Sequence, residues 1–167
     1  TAYNSGLVGK YALESLARIP VEVSIASEFR YRDPILDENT LVVVVSQSGE
    51  TADTLAALRE AQGQGAKVVA ICNVVGSTIA READEVLYLQ AGPEIAVAST
   101  KAYITMLMAF YMLAIYFARV KGLLADEDSR RLITGLKKLP DQAQQLIDND
   151  EEMIKELAAE CAEQQNT

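Results

Sequence analysis

The sequence predicts an α/β fold of three layers, in which helices cover both faces of a parallel sheet. Runs of apolar, mostly β-branched residues, such as residues 41–45 and 67–72, alternate along the chain with helical patterns. These runs are continuous, whereas a strand with one solvated face would alternate apolar and polar residues. Strands buried on both faces are typical of parallel sheets, so we expect helices on either side.

The elements follow in order from their patterns and from the residues that end them. Four strands are predicted, over residues 21–25, 41–45, 67–72 and 85–89. The first of these segments alternates apolar and polar residues, and the others are mainly apolar runs. Helical patterns precede, separate and follow the strands, over residues 5–18, 52–62, 78–82, 99–121, 127–147 and 150–163. Gly63 and Gly65 end the second helix, Gly122 ends the fourth, and Pro140 interrupts the fifth.

The ends of the chain depart from a doubly wound pattern. The chain opens on a helical pattern, so we expect the first strand of the sheet to be missing. Residues 1–122 are predicted to form the α/β domain, and residues 123–167 a set of C-terminal helices. These helices are either a connector toward a further domain or a helical pair that belongs to this one. Residues 106–118 are an apolar run of 13 residues, shorter than the about 20 that span a membrane, which predicts a buried core helix.

Charge, cysteine and histidine content narrow the classes of function. The net charge is −9, and residues 141–167 carry 8 acidic side chains against 1 basic one, which is typical of a solvated helix face. The chain has no basic stripe, which disfavours nucleic-acid binding. Cys72 and Cys161 lie far apart without metal-ligand spacing, so we expect no metal site and a reducing cytoplasm. Because the chain contains no histidine, proton transfer near neutral pH would need another residue type or a histidine from elsewhere.

A polar loop at residues 46–51, Ser-Gln-Ser-Gly-Glu-Thr, joins a buried strand to the start of a helix. Free backbone N–H groups and the helix dipole favour an anion at such a helix end. Ser46, Ser48 and Thr51 add hydroxyl donors, and Gly49 allows close approach or a positive φ. The loop suits a phosphate monoester held by neutral donors, and it is neither a Walker loop nor a dinucleotide fingerprint. The alternative is that Ser48 or Thr51 merely caps the helix.

Two further polar clusters precede helices. Residues 99–101, Ser-Thr-Lys, offer hydroxyls at the start of the long helix, with a plain cap at Ser99 as the alternative. The other cluster opens the chain and contains Thr1, Tyr3, Asn4 and Ser5. Since ligands of parallel sheets bind outside the carboxyl ends of the strands, we expect the loops at residues 46–51 and 90–99 to carry function.

Five motifs carry a resemblance to a known family. They are Thr-Ala-Tyr-Asn-Ser-Gly at 1–6, Ser-Glu-Phe-Arg-Tyr-Arg at 27–32, Ser-Gln-Ser-Gly-Glu-Thr-Ala-Asp-Thr at 46–54, Ala-Ile-Cys-Asn at 70–73 and Glu-Ile-Ala-Val-Ala-Ser-Thr-Lys-Ala at 94–102. In this order and spacing they resemble the isomerase half of the glucosamine-6-phosphate synthase (glutamine–fructose-6-phosphate aminotransferase) family. The loop at 46–51 is common to SIS (sugar isomerase) domains, and the motifs at 27–32 and 94–102 are more specific. The resemblance covers essentially the whole chain and implies the first of the family's two SIS domains, a three-layer αβα fold.

The resemblance also implies which residues bind a hexose 6-phosphate, either fructose 6-phosphate or glucosamine 6-phosphate. The phosphate would be bound by Ser46, Gln47, Ser48 and Thr51, and the sugar would be lined by Thr1, Val97 and Ser99. Ala2 stands where the family often has a serine, so a hydroxyl contact is lost there. The family's acid–base glutamate, ring-opening histidine and Schiff-base lysine lie in the second SIS domain and the C-terminal tail. No catalytic residue, metal or cofactor is therefore expected in this chain.

The family's full enzyme uses ammonia from an N-terminal glutaminase domain to convert fructose 6-phosphate into glucosamine 6-phosphate. The resemblance thus implies a glutaminase domain and a second SIS domain as partners, a homo-oligomer in the cytoplasm, and no nucleic-acid or membrane partner. We also expect the helix at 102–118, which is apolar all round, to pack between the sheet and a partner domain or subunit.

Two other functions stay open. A free-standing SIS sensor of sugar phosphates should carry a DNA-binding helix-turn-helix, and no such pattern is visible. Another SIS aldose–ketose phosphate isomerase would need its own base, for which Glu50 or Glu94 is available. Lys101 could replace the family's Schiff-base lysine, but its place at a helix start argues against that role.

Overall fold

A computed structural model of the chain describes residues 1–95 and 99–162. The chain divides into two compact units, Thr1–Ala125 and Asp126–Thr167. In the first unit the strands are β1 (Leu41–Ser46), β2 (Lys67–Cys72) and β3 (Glu85–Tyr88). Its helices are α1 (Ala2–Ala12, continued by a π-helical turn at Leu13–Ala17), α2 (Ala26–Phe29), α3 (Ala52–Gly63), α4 (Thr78–Glu82) and α5 (Lys101–Val120). The second unit contains one helix, α6 (Asp126–Ala162).

The three described strands form a parallel sheet in the order β1–β2–β3. Ser46 pairs with Cys72, and Cys72 pairs with Tyr88, so the strands end in register at one edge. The predicted α/β class is therefore confirmed. The shared edge matters for function because it brings the loops that follow the strands together.

Helices cover both faces of the sheet, because the side chains of each strand alternate between two apolar clusters. On one face Val44, Val68 and Ala70 pack against Leu58 of α3 and Ile79 of α4. On the other face Ile71 packs with Leu89 and with Met106, Ala109 and Phe110 of α5. The sheet therefore lies between a layer that contains α3 and α4 and a layer that contains α5, which gives three layers.

Helix α1 packs closely on α5 through a glycine. A Cβ atom built on Gly9 would lie 2.4 Å from Cδ1 of the Phe110 ring, so only a residue without a side chain allows this approach. Among the described residues, α5 is the one helix long and apolar enough to cross a membrane by length and composition. Its packing on the sheet confirms the prediction of a core helix there.

The predicted strand at residues 21–25 is wrong, because this segment pairs with no strand in the described part of the chain. The N–H group of Val21 instead donates to the carboxylate of Glu14, 3.1 Å away. A Cβ atom built on Gly6 of α1 would lie 3.2 Å from Cγ1 of Val23. Val21 and Val23 are thus half-buried against helical residues and not part of a ladder of strands, and Ile25 is exposed.

Two predicted helices, at residues 127–147 and 150–163, are in fact one helix, α6, with Pro140 inside it. A proline in a helix removes one backbone hydrogen bond, and this loss does not end the helix here. Much of its apolar surface is exposed, with Leu146, Ile147, Met153, Ile154 and Leu157 each more than half accessible. The other predicted strands and helices are confirmed to within one to three residues at their ends, and α2 was not predicted.

Candidate functional site

The candidate site lies at the sheet edge where the three parallel strands end. A cavity of about 530 Å³ opens there, between the loops that follow β1, β2 and β3. It is lined by Gln47, Asn73, Val74, Gln90, Gly92, Pro93 and Glu94. Parallel α/β sheets bind their ligands outside the carboxyl ends of their strands, so this cavity and the loop beside it are the place to look for function.

Ser46, the last residue of β1, organises the loop at 46–51 from within. Its side chain is 3% exposed, and its hydroxyl oxygen accepts the N–H of Gly49 at 3.1 Å. The same oxygen lies 3.1 Å from Oγ1 of Thr51. Ser48 is half-buried, and its hydroxyl accepts the N–H of Glu50 at 3.2 Å. The loop therefore folds back on itself and brings the three predicted hydroxyl groups into one tight turn.

Gly49 fixes this turn against the start of α4. Its φ is +68°, and a Cβ atom built on it would lie 2.0 Å from Oγ of Ser77, which is buried. Its carbonyl oxygen accepts the N–H of Ile79 at 3.0 Å. Both the positive φ and the close approach require a glycine here.

The start of α3 supplies the other half of the turn. Thr51 is the N-cap residue, and its side chain makes no capping hydrogen bond, so the capping alternative fails for Thr51. The first N–H groups of a helix have no acceptor within the helix, and they carry the positive end of its dipole. Asp53 in this first turn would repel an anion, but its carboxylate is paired with Arg30 at 3.1 Å.

The two glutamates that were candidates for a base are engaged elsewhere. Oε1 of Glu50 accepts the N–H of Thr78 at 2.7 Å, and hydrogen bonding from the side chain of Thr78 and then from its backbone lowers the pKa of Glu50 below its ordinary value. Oε2 of Glu94 accepts the N–H of Ala102 at 3.0 Å and lies 3.5 Å from Oγ of Ser99. Glu94 therefore caps α5, so the plain cap expected at Ser99 is replaced by this carboxylate.

The remaining predicted residues fall into three groups. Thr1 is exposed at the start of α1, and Ala2 beside it packs against the cluster that contains Leu89, near the same end of the sheet. Ser5, predicted with Thr1 as part of a polar cluster, is instead buried and donates to the carbonyl oxygen of Ala2 at 2.7 Å. Val97 lies outside the described residues.

Asn73, the last residue of the motif at 70–73, has a role that its position in the sequence did not reveal. Oδ1 of Asn73 accepts the N–H of Ala91 at 2.8 Å, and its Nδ2 donates to the carbonyl oxygen of Gly92 at 2.7 Å. The one available indication was an amide side chain directly after a buried strand. Its partners follow the next strand, so local sequence could not reveal them.

The described residues contain no group of three or more histidine, cysteine, aspartate or glutamate side chains that could hold a metal ion. Both cysteines are free, with Cys72 buried and Cys161 exposed. Burial raises the pKa of the Cys72 thiol. This edge presents neutral hydroxyl groups, amides and backbone N–H groups, which bind anions and sugar hydroxyls through hydrogen bonds. It also holds the carboxylates of Glu50 and Glu94, which accept backbone N–H groups.

The sequence of this chain is similar to a known domain family and to named enzymes. The sequence profile of the SIS domain matches residues 1–116. The chain is 62% identical over 159 residues to the glutamine–fructose-6-phosphate aminotransferase (isomerizing) of Clostridium tetani. That alignment covers 95% of this chain and 26% of the relative. The chain thus spans about a quarter of the length of the curated relatives that it matches.

Solved structures show the same fold. The C-terminal domain of glucosamine-fructose-6-phosphate aminotransferase from Francisella tularensis matches with a TM-score of 0.86 and 40% identity, over 90% of this chain and 43% of that one. Glucosamine-6-phosphate deaminase from Thermotoga maritima matches with a TM-score of 0.66 and 26% identity, over 77% of this chain and 39% of that one. The resemblance stated from the motifs is confirmed by these matches.

Proposed function

The chain belongs to the SIS domain family, and from that premise we propose that it binds a hexose 6-phosphate as the first SIS domain of a glutamine-dependent aminotransferase. Fructose 6-phosphate and glucosamine 6-phosphate are the proposed ligands, and the full protein would make the second from the first. High identity to named aminotransferases supports the proposal, as does the 26% of their length that the chain covers.

The observation that carries the proposal is the turn at residues 46–51. It combines the N-terminus of α3 with the hydroxyl groups of Ser48 and Thr51, and the buried Ser46 holds its shape. Hydroxyl groups beside the N-terminus of a helix, together with the helix dipole, suit a phosphate dianion without an arginine. Gln47, in the same loop, lines the cavity. The sugar of a bound hexose phosphate would lie there, beside Asn73 and Glu94.

We propose that the chain alone does not catalyse the reaction. It has no histidine, and the family's acid–base residues lie in parts of the enzyme beyond the resemblance of this chain. Glu50 and Glu94, which an independent isomerase could use as a base, each accept a backbone N–H at the start of a helix. This engagement favours the role of a binding domain over that of a complete isomerase.

Calorimetric titration with fructose 6-phosphate and glucosamine 6-phosphate tests the proposal. We expect saturable binding by the chain, and binding about 10- to 100-fold weaker by Ser48→Ala, because a hydrogen bond to a charged group contributes about 1.5–3 kcal/mol. Ser15→Ala, at an exposed position of the π-helical turn, is the matched control and should bind like the wild type. Equal binding by Ser48→Ala and the wild type would remove the phosphate from this loop.

We further propose that α5 packs against a partner domain or a second subunit in the cytoplasm. Ile104, Met112 and Tyr116 of α5 are each more than half exposed, although the same helix is part of the core. The extension at residues 123–167, which α6 largely fills, is the proposed connector toward the second SIS domain. Sedimentation should show association of the chain, and a stable monomer at high concentration would contradict pairing through α5.

A further inference from the structure

We infer that Asn73 is a positioning residue that sets the loop after β3 relative to the loop at residues 46–51, an inference that rests on the proposed function. The backbone N–H of Asn73 donates to the carbonyl oxygen of Gln47 at 3.2 Å. This bond extends the pairing of β1 and β2 by one step beyond Ser46 and Cys72, into the loop at 46–51. The backbone of Asn73 is thereby tied to the first loop.

The side chain of Asn73 is tied to the third loop by a matched pair of hydrogen bonds. Its Oδ1 accepts the N–H of Ala91 at 2.8 Å, and its Nδ2 donates to the carbonyl oxygen of Gly92 at 2.7 Å. The regular pairing of β2 with β3 ends with Cys72 and Tyr88. The Asn73 amide donates one hydrogen bond and accepts another, and so links β2 to the loop after β3 just beyond the last backbone pair of the sheet.

The loop that Asn73 holds has a conformation that needs support. Gln90 has a φ of +56°, a left-handed conformation that is unfavourable for a residue with a side chain. The side chain of Asn73 forms hydrogen bonds with Ala91 and Gly92, the two residues that follow Gln90. These bonds hold the backbone directly after the residue with the unfavourable φ. The loop then continues to Glu94, whose carboxylate caps α5.

This placement separates two parts of a hexose-phosphate site. The turn at 46–51 has its own internal hydrogen bonds and its own contacts to α4, so it does not depend on the side chain of Asn73. The cavity walls formed by Gln90, Gly92 and Glu94 do depend on it. Loss of the Asn73 amide should therefore weaken binding of the sugar part and leave binding of the phosphate part intact.

The test compares fructose 6-phosphate with inorganic phosphate, by following the amide resonance of Gly49 in NMR titrations. For Asn73→Ala we expect the Kd for fructose 6-phosphate to rise by roughly tenfold and the Kd for inorganic phosphate to stay within about twofold, since two hydrogen bonds that order one wall are lost. Asn73→Gln keeps both amide groups but displaces them by one methylene, and we expect the same split. Asn39→Ala, in an exposed turn that precedes β1, should change neither Kd.

Hydrogen exchange at the Ala91 amide gives a second readout in the same variants. We expect faster exchange of Ala91 in Asn73→Ala, with the Ile71 amide in β2 unchanged, because only the side-chain bond is removed. An equal rise in both Kd values, or an unchanged Kd for fructose 6-phosphate, would overturn the positioning role. A wild type that binds neither ligand would overturn the proposed function and this inference together, whereas a wild type that binds both with a variant that matches it overturns the inference alone.

Discussion

Gly49 determines both the backbone shape of the loop at residues 46–51 and its packing against Ser77. Its positive φ and its contact with Ser77 are separate demands, since one concerns the backbone and the other concerns space. Gly65 has a positive φ of +88° with no atom within 4 Å of an added Cβ, so it meets only the first demand. The two glycines therefore allow each demand to be measured.

We predict that Gly65→Ala costs about 1 kcal/mol of unfolding free energy, the penalty of a left-handed backbone with a Cβ atom. Gly49→Ala should cost about 1–3 kcal/mol more, because the added methyl group overlaps Ser77. Urea unfolding of both variants measures these costs. Similar costs for the two variants would contradict the tight contact of the loop with Ser77.

Glu50 makes the stability of the loop depend on pH. Its pKa lies below the ordinary value of 4.5 because Thr78 donates to it, so its contribution to stability is present above that value and is lost as the pH falls below it. We predict that Glu50→Gln, which keeps an acceptor for Thr78, loses less stability than the wild type on acidification from roughly pH 5 to pH 3. Thermal unfolding across this range measures the difference, with Glu38→Gln in an exposed turn as control. An identical acid response in the wild type and Glu50→Gln would count against this hydrogen bond.

At the scale of elements, the packing of α1 on α5 depends on Gly9, and α6 offers a matched comparison at Gly135. Both glycines lie inside helices, but an added Cβ meets Phe110 at Gly9 and open space at Gly135. We predict that Gly9→Ala lowers the free energy of unfolding by about 1–3 kcal/mol through overpacking. Gly135→Ala should stabilise α6 by about 0.5–1 kcal/mol through helix propensity. Circular dichroism during denaturation distinguishes these signs, and stabilisation by Gly9→Ala would contradict the close approach.

The strands of the sheet and most of the helices could be predicted because their physical causes are local. Continuous β-branched runs form β1 and β2, and glycines end α3 and α5 nearby. The alternation at residues 21–25 misled because Val21 and Val23 are half-buried against helical residues, as residues on one face of an edge strand would be. The interruption predicted near Pro140 was wrong, because one lost hydrogen bond does not outweigh helix formation on both sides of the proline.

The candidate site could be predicted where one short segment builds it. The loop at 46–51 shows its hydroxyls, its glycine and the following helix within a few residues of sequence. Asn73 could not be recognised, because its bonds to Ala91 and Gly92 exist only once β2 and β3 lie side by side. The capping roles of Glu50 and Glu94 could not be predicted for the same reason. Glu50 accepts the N–H of Thr78 in α4, and Glu94 accepts the N–H of Ala102 in α5.

At the scale of the whole molecule, the proposed function assigns binding and catalysis to different parts of the protein. The proposed function gives this chain the binding of a sugar phosphate and gives the conversion of fructose 6-phosphate and ammonia into glucosamine 6-phosphate to the full protein. We predict no product above the uncatalysed background, measured by chromatographic detection of glucosamine 6-phosphate. Turnover by the purified chain, abolished by Glu50→Gln or Glu94→Gln, would show instead that this domain is an isomerase with its own base.

The central claim is that the turn at residues 46–51 holds the phosphate of a hexose 6-phosphate. Amide NMR spectra recorded during titration with fructose 6-phosphate test it most directly, because each residue reports its own environment. We predict saturable shifts that are largest for Gln47, Ser48 and Gly49 and for the first turn of α3, with α6 unperturbed. Saturable shifts centred elsewhere, or a loop whose resonances do not move at saturating ligand, would contradict the claim.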